Sequence, residues 1–269
     1  MTIPVGLTIA GSDSGAGAGI QADLKTFAAL GVYGVTVITA VTAQNTIGVR
    51  AVQEIDPENV LAQIDAVAED FSIGALKTGM LSSAAIVEVV ADAIRRHELG
   101  PLVVDPVMIA KSGDRLLRAD AVEALRRDLL PLAGVVTPNI PEAEVLAGRA
   151  IHTRDDRLAA AGAILQLGAR AVIVKGGHAD DDPIVDLLID QTGVHEYRAR
   201  RVNTTSTHGT GCTFSAAITA ALARGQNLPA AVAQARDYVS RALVEAPGLG
   251  RGHGPMHHFP AAEAGHVHR

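Results

Sequence analysis

Little in this chain suits a nucleic-acid or membrane partner. It has no tryptophan and only 3% aromatic residues, so it lacks the flat side chains on which bases stack. Its net charge is −6 and its basic residues form no cluster, whereas a phosphate backbone calls for grouped Lys and Arg. A single cysteine, Cys212, excludes a disulfide within the chain and fits the reducing cytoplasm. No Lys or Arg precedes the apolar run near the start, which makes a poor signal peptide. The uncharged run from Thr26 to Val49 is long enough to raise the question of a membrane span. It contains Gly31, Gly34, Gln44, Asn45 and five threonines, and a helix end, a turn and a buried strand explain it better. No internal repeat and no Pro/Ser-rich linker divides the chain.

What is present is a large apolar complement. With 269 residues and 48% hydrophobic side chains, the chain can bury one large α/β core. Strand-like runs are expected at Val5 to Ala10, Val35 to Val41, Ile73 to Leu76, Leu102 to Asp105, Val135 to Thr137 and Ala171 to Val174. Helix-like runs alternate with them: Ile20 to Leu30, Pro57 to Asp70, Ser83 to His97, Ala119 to Leu130, a short helix opened by Pro141, and Arg157 to Leu167. That alternation implies a mostly parallel sheet covered by helices on both faces. Ile184 to Ile189 and His195 to Arg201, joined by Gln191-Thr192-Gly193, read as a hairpin and hence an antiparallel edge. Thr213 to Ala223 and Ala230 to Glu245 are the last helices. One domain over residues 1–246 is expected, with a loosely ordered His- and Gly-containing tail over 247–269.

Segments of ligand-binding type fall at the carboxyl ends of these strands, where open α/β sheets bind ligands. Gly11-Ser12-Asp13-Ser14-Gly15-Ala16-Gly17-Ala18-Gly19 follows the first strand and matches neither a Rossmann fingerprint nor a Walker A loop. Asp23, on the next helix, reads equally as a ligand contact or an exposed helix residue. Gln44 and Asn45 end the second strand, where an amide can read a heterocycle edge or simply form a turn. Met80 in Lys77-Thr78-Gly79-Met80 lines a pocket or fills the core. Asp105 is a magnesium-phosphate or a turn position. Glu142, near Asn139, is within reach of a hydrated Mg²⁺ or is a carboxylate favouring a helix dipole. Lys175 in Lys175-Gly176-Gly177-His178 can face nucleotide phosphates, and Lys111 in Lys111-Ser112-Gly113 is either a flap cation or a solvated lysine.

The most telling segment is His208-Gly209-Thr210-Gly211-Cys212. Two glycines permit positive φ and close approach to a ligand. The helix that follows aims free N–H groups at an anion, and a thiol with an ordinary pKa of ~8.5 is lowered by such an end. A kinase that takes a proton from an alcohol is the reading this suggests.

In this order the segments resemble the ribokinase-like superfamily and, within it, the hydroxymethylpyrimidine/phosphomethylpyrimidine kinases of thiamin biosynthesis. The resemblance runs from about Ile9 to Ala246. It is carried by Ala10-Gly11-Ser12-Asp13-Ser14, Gly19-Ile20-Gln21-Ala22-Asp23-Leu24-Lys25-Thr26, Val41-Thr42-Ala43-Gln44-Asn45-Thr46 and Thr207-His208-Gly209-Thr210-Gly211-Cys212-Thr213. Gly15-Ala16-Gly17 stands where Ser-Gly-Gly is frequent, and Ser206 where Asn is. The resemblance implies a three-layer α/β/α fold and an anion hole over Gly209, Thr210, Gly211 and Cys212, with Cys212 where most of the superfamily carries an aspartate base. It implies a pyrimidine site at Gln44, Asp23, Gly11, Met80 and Val107, a nucleotide site at Lys175, Asn139, Lys111 and Thr207, and Mg²⁺ near Asp105, Asn139 and Glu142. ATP, Mg²⁺ and a homodimer are expected with it. A pyridoxine/pyridoxal kinase and a non-catalytic pyrimidine sensor are the alternatives.

Overall fold

The computed structural model describes residues 3–109, 113, 116–178 and 183–259. Its strands are β1 (Val5–Asp13), β2 (Tyr33–Gln44), β3 (Val49–Glu54), β4 (Ile73–Thr78), β5 (Leu102–Val104), β6 (Val135–Val136), β7 (Val172–Val174), β8 (Ile184–Asp190) and β9 (Gly193–Ala199). They form one sheet in the order β3-β2-β1-β4-β5-β6-β7-β8-β9. The inner run from β2 to β7 is parallel. β3 at one edge and β8–β9 at the other are antiparallel.

The apolar runs are continuous because both sheet faces are covered. In β5, Leu102 and Val104 enter one core while Val103 enters the other; in β7, Val172 and Val174 oppose Ile173 in the same way. Alternate side chains point to opposite faces of a strand, so a strand buried on both sides loses its polar positions. Helices α2 (Pro57–Asp70), α3 (Ala84–Arg96), α4 (Ala119–Ala124), α5 (Ile140–Ala147) and α6 (Arg154–Gln166) cover the first face. Helices α1 (Gly19–Ala29), α7 (Thr210–Ala223) and α8 (Leu228–Val244) cover the second. This is the α/β/α arrangement the sequence implies.

Three local differences have physical causes. β3 is not foreseen, because it shows no alternating apolar face: four of its six residues, Arg50, Ala51, Val52 and Gln53, are exposed together. The helix expected from Ala119 to Leu130 is regular only to Ala124, then widens into a π turn at Leu125–Leu129 and a 3₁₀ turn at Leu130–Leu132. Pro131 has no N–H to give and its ring crowds a carbonyl one turn back. Finally, of the tail expected over 247–269, residues 247–259 pack on the domain and 260–269 lie outside the described residues. Met256 is buried in the α7–α8 core, the His257 N–H donates to the Ala242 carbonyl at 3.0 Å, and Tyr238 Oη–H donates to the His258 carbonyl at 2.8 Å. Among the described residues no helix is long and apolar enough to cross a membrane.

Candidate active site

A cleft of 580 Å³ opens at the carboxyl ends of the parallel strands. Its anionic end is built by two loops. After β1, the Asp13 carboxylate accepts N–H bonds from Gly15 (2.8 Å), Gly17 (3.0 Å) and Ala18 (2.9 Å), so a single side chain folds the glycine loop around itself. The His208 ring donates from Nε2 to the same carboxylate at 2.8 Å. Gly209 then turns at φ 77° into α7, and a Cβ there would run into the Gly17 carbonyl. Glycine at 209 therefore answers both to conformation and to the approach of the two loops. Thr210 Oγ1–H donates to the Thr207 carbonyl at 2.7 Å, and the N-terminus of α7 faces the cleft with Gly209, Thr210, Gly211 and Cys212 along its wall.

Cys212 is half-buried in the first turn of α7, and the Gly19 N–H at the start of α1 also points at its sulfur. Two helix N-termini thus meet at one thiol. The sequence leads one to expect a lowered thiol pKa; the structure shows the reverse. Burial pushes the Cys212 thiol up to about 12, Lys77 pulls it down, and Asp105 and Asp23 add to the rise. Desolvation of the thiolate outweighs the helix ends here.

The cationic side of the cleft is Lys175. Its Nζ is 3.2 Å from Asp105 Oδ1 and 4.0 Å from Glu142 Oε2, and a Cβ on Gly211 would lie 3.2 Å from it. Asp105 also accepts from Ser215 Oγ and Thr137 Oγ1. Asn139 and Glu142 form a reciprocal cap on α5: Asn139 Oδ1 accepts the Glu142 N–H and Glu142 Oε2 accepts the Asn139 N–H, each at 2.8 Å. Burial pushes Glu142 up to about 7 against the pull of Lys175, with Asp105 adding to the rise.

The resemblance places Mg²⁺ among these groups, and the donor set decides how it fits. Among the described residues no three His, Cys, Asp or Glu side chains converge into a cage. Asn139 Oδ1 accepts the cap bond with one of its two lone pairs, and the two carboxylates share Lys175. The set fits a Mg²⁺ ion that would keep much of its own hydration, with Asp105 and Glu142 as the carboxylates that would hold it. Such an ion keeps several waters by preference. Asn139 is a helix cap here, and its side-chain oxygen keeps a second lone pair beside the cap bond.

Gln44, Met80, Gly11 and Val107 line the same cleft. Gly11 faces Met80 so closely that a Cβ would lie 3.1 Å from its sulfur. The Gln44 amide lies 3.3 Å from His208 Nε2 and 3.2 Å from Thr42 Oγ1. Since His208 Nε2–H is committed to a carboxylate, which can only accept, the amide atom facing it must be the oxygen. The amide nitrogen then donates to Thr42 Oγ1, whose own hydrogen goes to the Ser12 carbonyl.

Asp105, Asn139, Glu142, Lys175, Thr207 and the Gly209–Cys212 loop line the same cleft as Gln44. Asp23 does not. It is 0% exposed, paired with Lys77 and hydrogen-bonded by Thr8, because its position on α1 faces the sheet. Lys111 lies outside the described residues. Asp13, His208 and Lys77 carry no role legible from the sequence, although each stands inside a segment of ligand-binding type. The signal available for Lys77 is a lone charge in an otherwise uncharged strand. Also unforeseen is Asp186, whose carboxylate accepts the Gly176 N–H at 2.7 Å and pairs with Arg236 of α8 at 3.3 Å. It fixes the loop that carries Lys175.

The likenesses to known proteins agree with this geometry. The hydroxymethylpyrimidine/phosphomethylpyrimidine kinase of Rhizobium meliloti is 53% identical over 95% of this chain and 97% of that one. The enzyme of the same description from Bacillus subtilis is 50% identical over 96% of each. Among solved structures, the ADP complex of Bacillus subtilis pyridoxal kinase superposes with a TM-score of 0.89 at 39% identity, covering 96% of this chain and 98% of that one. The model of the phosphomethylpyrimidine kinase family matches residues 13–257, so the chain belongs to that family.

Proposed function

We propose that the protein phosphorylates the hydroxymethyl group of 4-amino-5-hydroxymethyl-2-methylpyrimidine with ATP, and then its monophosphate to the diphosphate, in thiamin biosynthesis. The observation that carries this reading is that Gln44, Cys212 and Lys175 line one cleft, with Gln44 against His208 just before α7 and Lys175 against Gly211 in its first turn. The family resemblance extends the working form to a homodimer.

Gln44 and Met80 hold the pyrimidine, and Val107 packs beside it. Lys175 and the N–H groups from Gly209 to Cys212 hold the transferring phosphoryl group, whose charge grows on its outer oxygens. The hydroxymethyl oxygen bonds to the terminal phosphorus as the bond to the bridging oxygen breaks and ADP leaves. Mg²⁺, when bound, neutralises phosphate charge, and Asp105 and Glu142 would hold it. The transition state is loose, so the alcohol becomes acidic late and a weak base suffices. Cys212 takes that proton in its thiolate form, which its raised pKa makes the minor form at neutral pH. The monophosphate brings an ionised nucleophile and needs no such acceptor.

A second reading, pyridoxal phosphorylation, is favoured by the TM-score of 0.89 to a pyridoxal kinase. Incubation of each substrate with ATP, followed by mass spectrometry, separates the two. Gain of one and then two phosphoryl groups by the pyrimidine supports the proposal. Gain by pyridoxal alone, or by neither, overturns it.

A further inference from the structure

A charge that the reaction above does not use lies directly beneath the cleft floor. Lys77 and Asp23 are both 0% exposed, and Lys77 Nζ stands 2.9 Å from each oxygen of the Asp23 carboxylate. Thr8 Oγ1–H donates to the same carboxylate at 2.7 Å. Packing does not call for such a pair, since apolar residues of similar volume replace buried ion pairs at little cost or with a gain in stability. Its position is informative instead. Nζ is 3.6 Å from where a Cβ on Gly79 would stand, in the cleft wall; Asp23 lies one turn along α1 from Gly19, and α7, whose first turn carries Cys212, packs on both α1 and β4, so the pair sits between the three elements that meet at the thiol.

We infer that Lys77 is the buried counter-charge of the Cys212 thiolate, anchored by Asp23, and so a positioning residue for the proton acceptor of the reaction. The inference rests on the reading of Cys212 as that acceptor. Four charged groups bear on the sulfur: Lys77 from β4, Asp23 from α1, Asp105 after β5 and Lys175 after β7. The two carboxylates hold the proton on. After burial, Lys77 exerts the largest effect on the thiol, and it acts to release the proton. The effect is mutual. Burial alone would lower the Lys77 pKa, yet Asp23, Cys212 and Asp105 hold it above the usual lysine range. Asp23 thereby has a function without touching the cleft: it keeps an ammonium charged where water cannot reach it.

The chain has one cysteine, so the pH dependence of its alkylation by iodoacetamide reads Cys212 alone. The reagent is neutral and reports the thiolate fraction, because the thiolate is the nucleophile that displaces iodide. Lys77→Met should slow alkylation at pH 8 about tenfold and move the rate profile to higher pH. That variant strands Asp23, so Lys77→Met/Asp23→Leu is measured beside it, with circular dichroism and a thermal melt to verify the fold. The double variant should shift the profile in the same direction by less, because Asp23 itself disfavours the thiolate. A folded double variant whose profile overlays the wild type, or lies at lower pH, overturns the inference. Alkylation needs neither ATP nor pyrimidine, so this result is independent of the substrate assignment.

Discussion

The Asp13 carboxylate and the His208 ring are 195 positions apart in the chain and 2.8 Å apart in the fold. Through this contact the loop after β1 and the loop before α7 form one cradle. Burial alone would raise the Asp13 pKa, but the His208 hydrogen bond, the Ala18 N–H, the His208 charge and the Gly15 N–H together hold it below its ordinary 3.8. A depressed carboxylate stabilises the fold above its unfolded pKa, and that stability is lost as pH falls through the folded value. Asp13→Asn should therefore cost about 2 kcal/mol at pH 7 in urea unfolding and flatten the acid limb below pH ~4. An unchanged acid limb would show that the contact contributes nothing to stability.

Gly209 is the narrowest point of the cradle. Gly209→Ala puts a methyl group against the Gly17 carbonyl at a φ of 77°. Moving the loops apart displaces the N–H donors from the transferring group, and loss of one such donor typically lowers kcat 10²–10³-fold. A decrease of at least about a hundredfold in kcat, with the protein still folded by circular dichroism, is expected. Activity within a few-fold of wild type would mean that the transferring group is held elsewhere.

Cys212→Ala separates the two phosphorylations. Only the alcohol has a proton to lose, so its single-turnover rate should fall by about 10² or more while that of the monophosphate changes little. Equal losses on both substrates would leave Cys212 an orienting group without a base role.

Glu142 and His258 should give the stability profile opposite slopes. Burial raises Glu142 from 4.5 to about 7. The stability it contributes is full below pH ~4.5 and is lost as pH rises through ~7. Burial lowers His258 from 6.5 to about 4, with Lys25 and His257 adding to the fall. Its contribution is full above pH ~6.5 and is lost as pH falls toward ~4. Across pH 4.5 to 7, Glu142→Gln, which can retain the α5 cap, should remove a decline on the order of 3 kcal/mol. His258→Gln should remove a rise over much the same range. Urea unfolding at half-unit pH steps checks both, and parallel profiles for the two variants would contradict the assignment.

How much was legible in the sequence depends on how local each signal is. β5 and β7 show themselves as apolar runs because both faces are buried, and Pro57 marks the start of α2 by its own stereochemistry. The segments at strand ends are legible because the cleft is made of consecutive residues after each strand. β3 is not, since its pairing to β2 is held by backbone bonds while its side chains face outward. Asp23 reads as an ordinary helix residue, because its partner Lys77 is 54 positions away. The histidines and glycines of 247–259 suggest looseness. Only the fold shows Met256 filling a core, and His258 Nε2 2.9 Å from Thr213 Oγ1 in the first turn of α7.

That last segment has a consequence for synthesis. The His253 N–H binds the Thr46 carbonyl at 2.8 Å and the His208 N–H binds the Gly254 carbonyl at 3.1 Å, so residues 253–258 join the turn after Gln44 to the start of α7. A chain leaving the ribosome can pair every strand of its sheet before these residues emerge. The seam between the two halves of the cleft is sewn last, and a nascent protein lacking it has its architecture before it has a finished workplace.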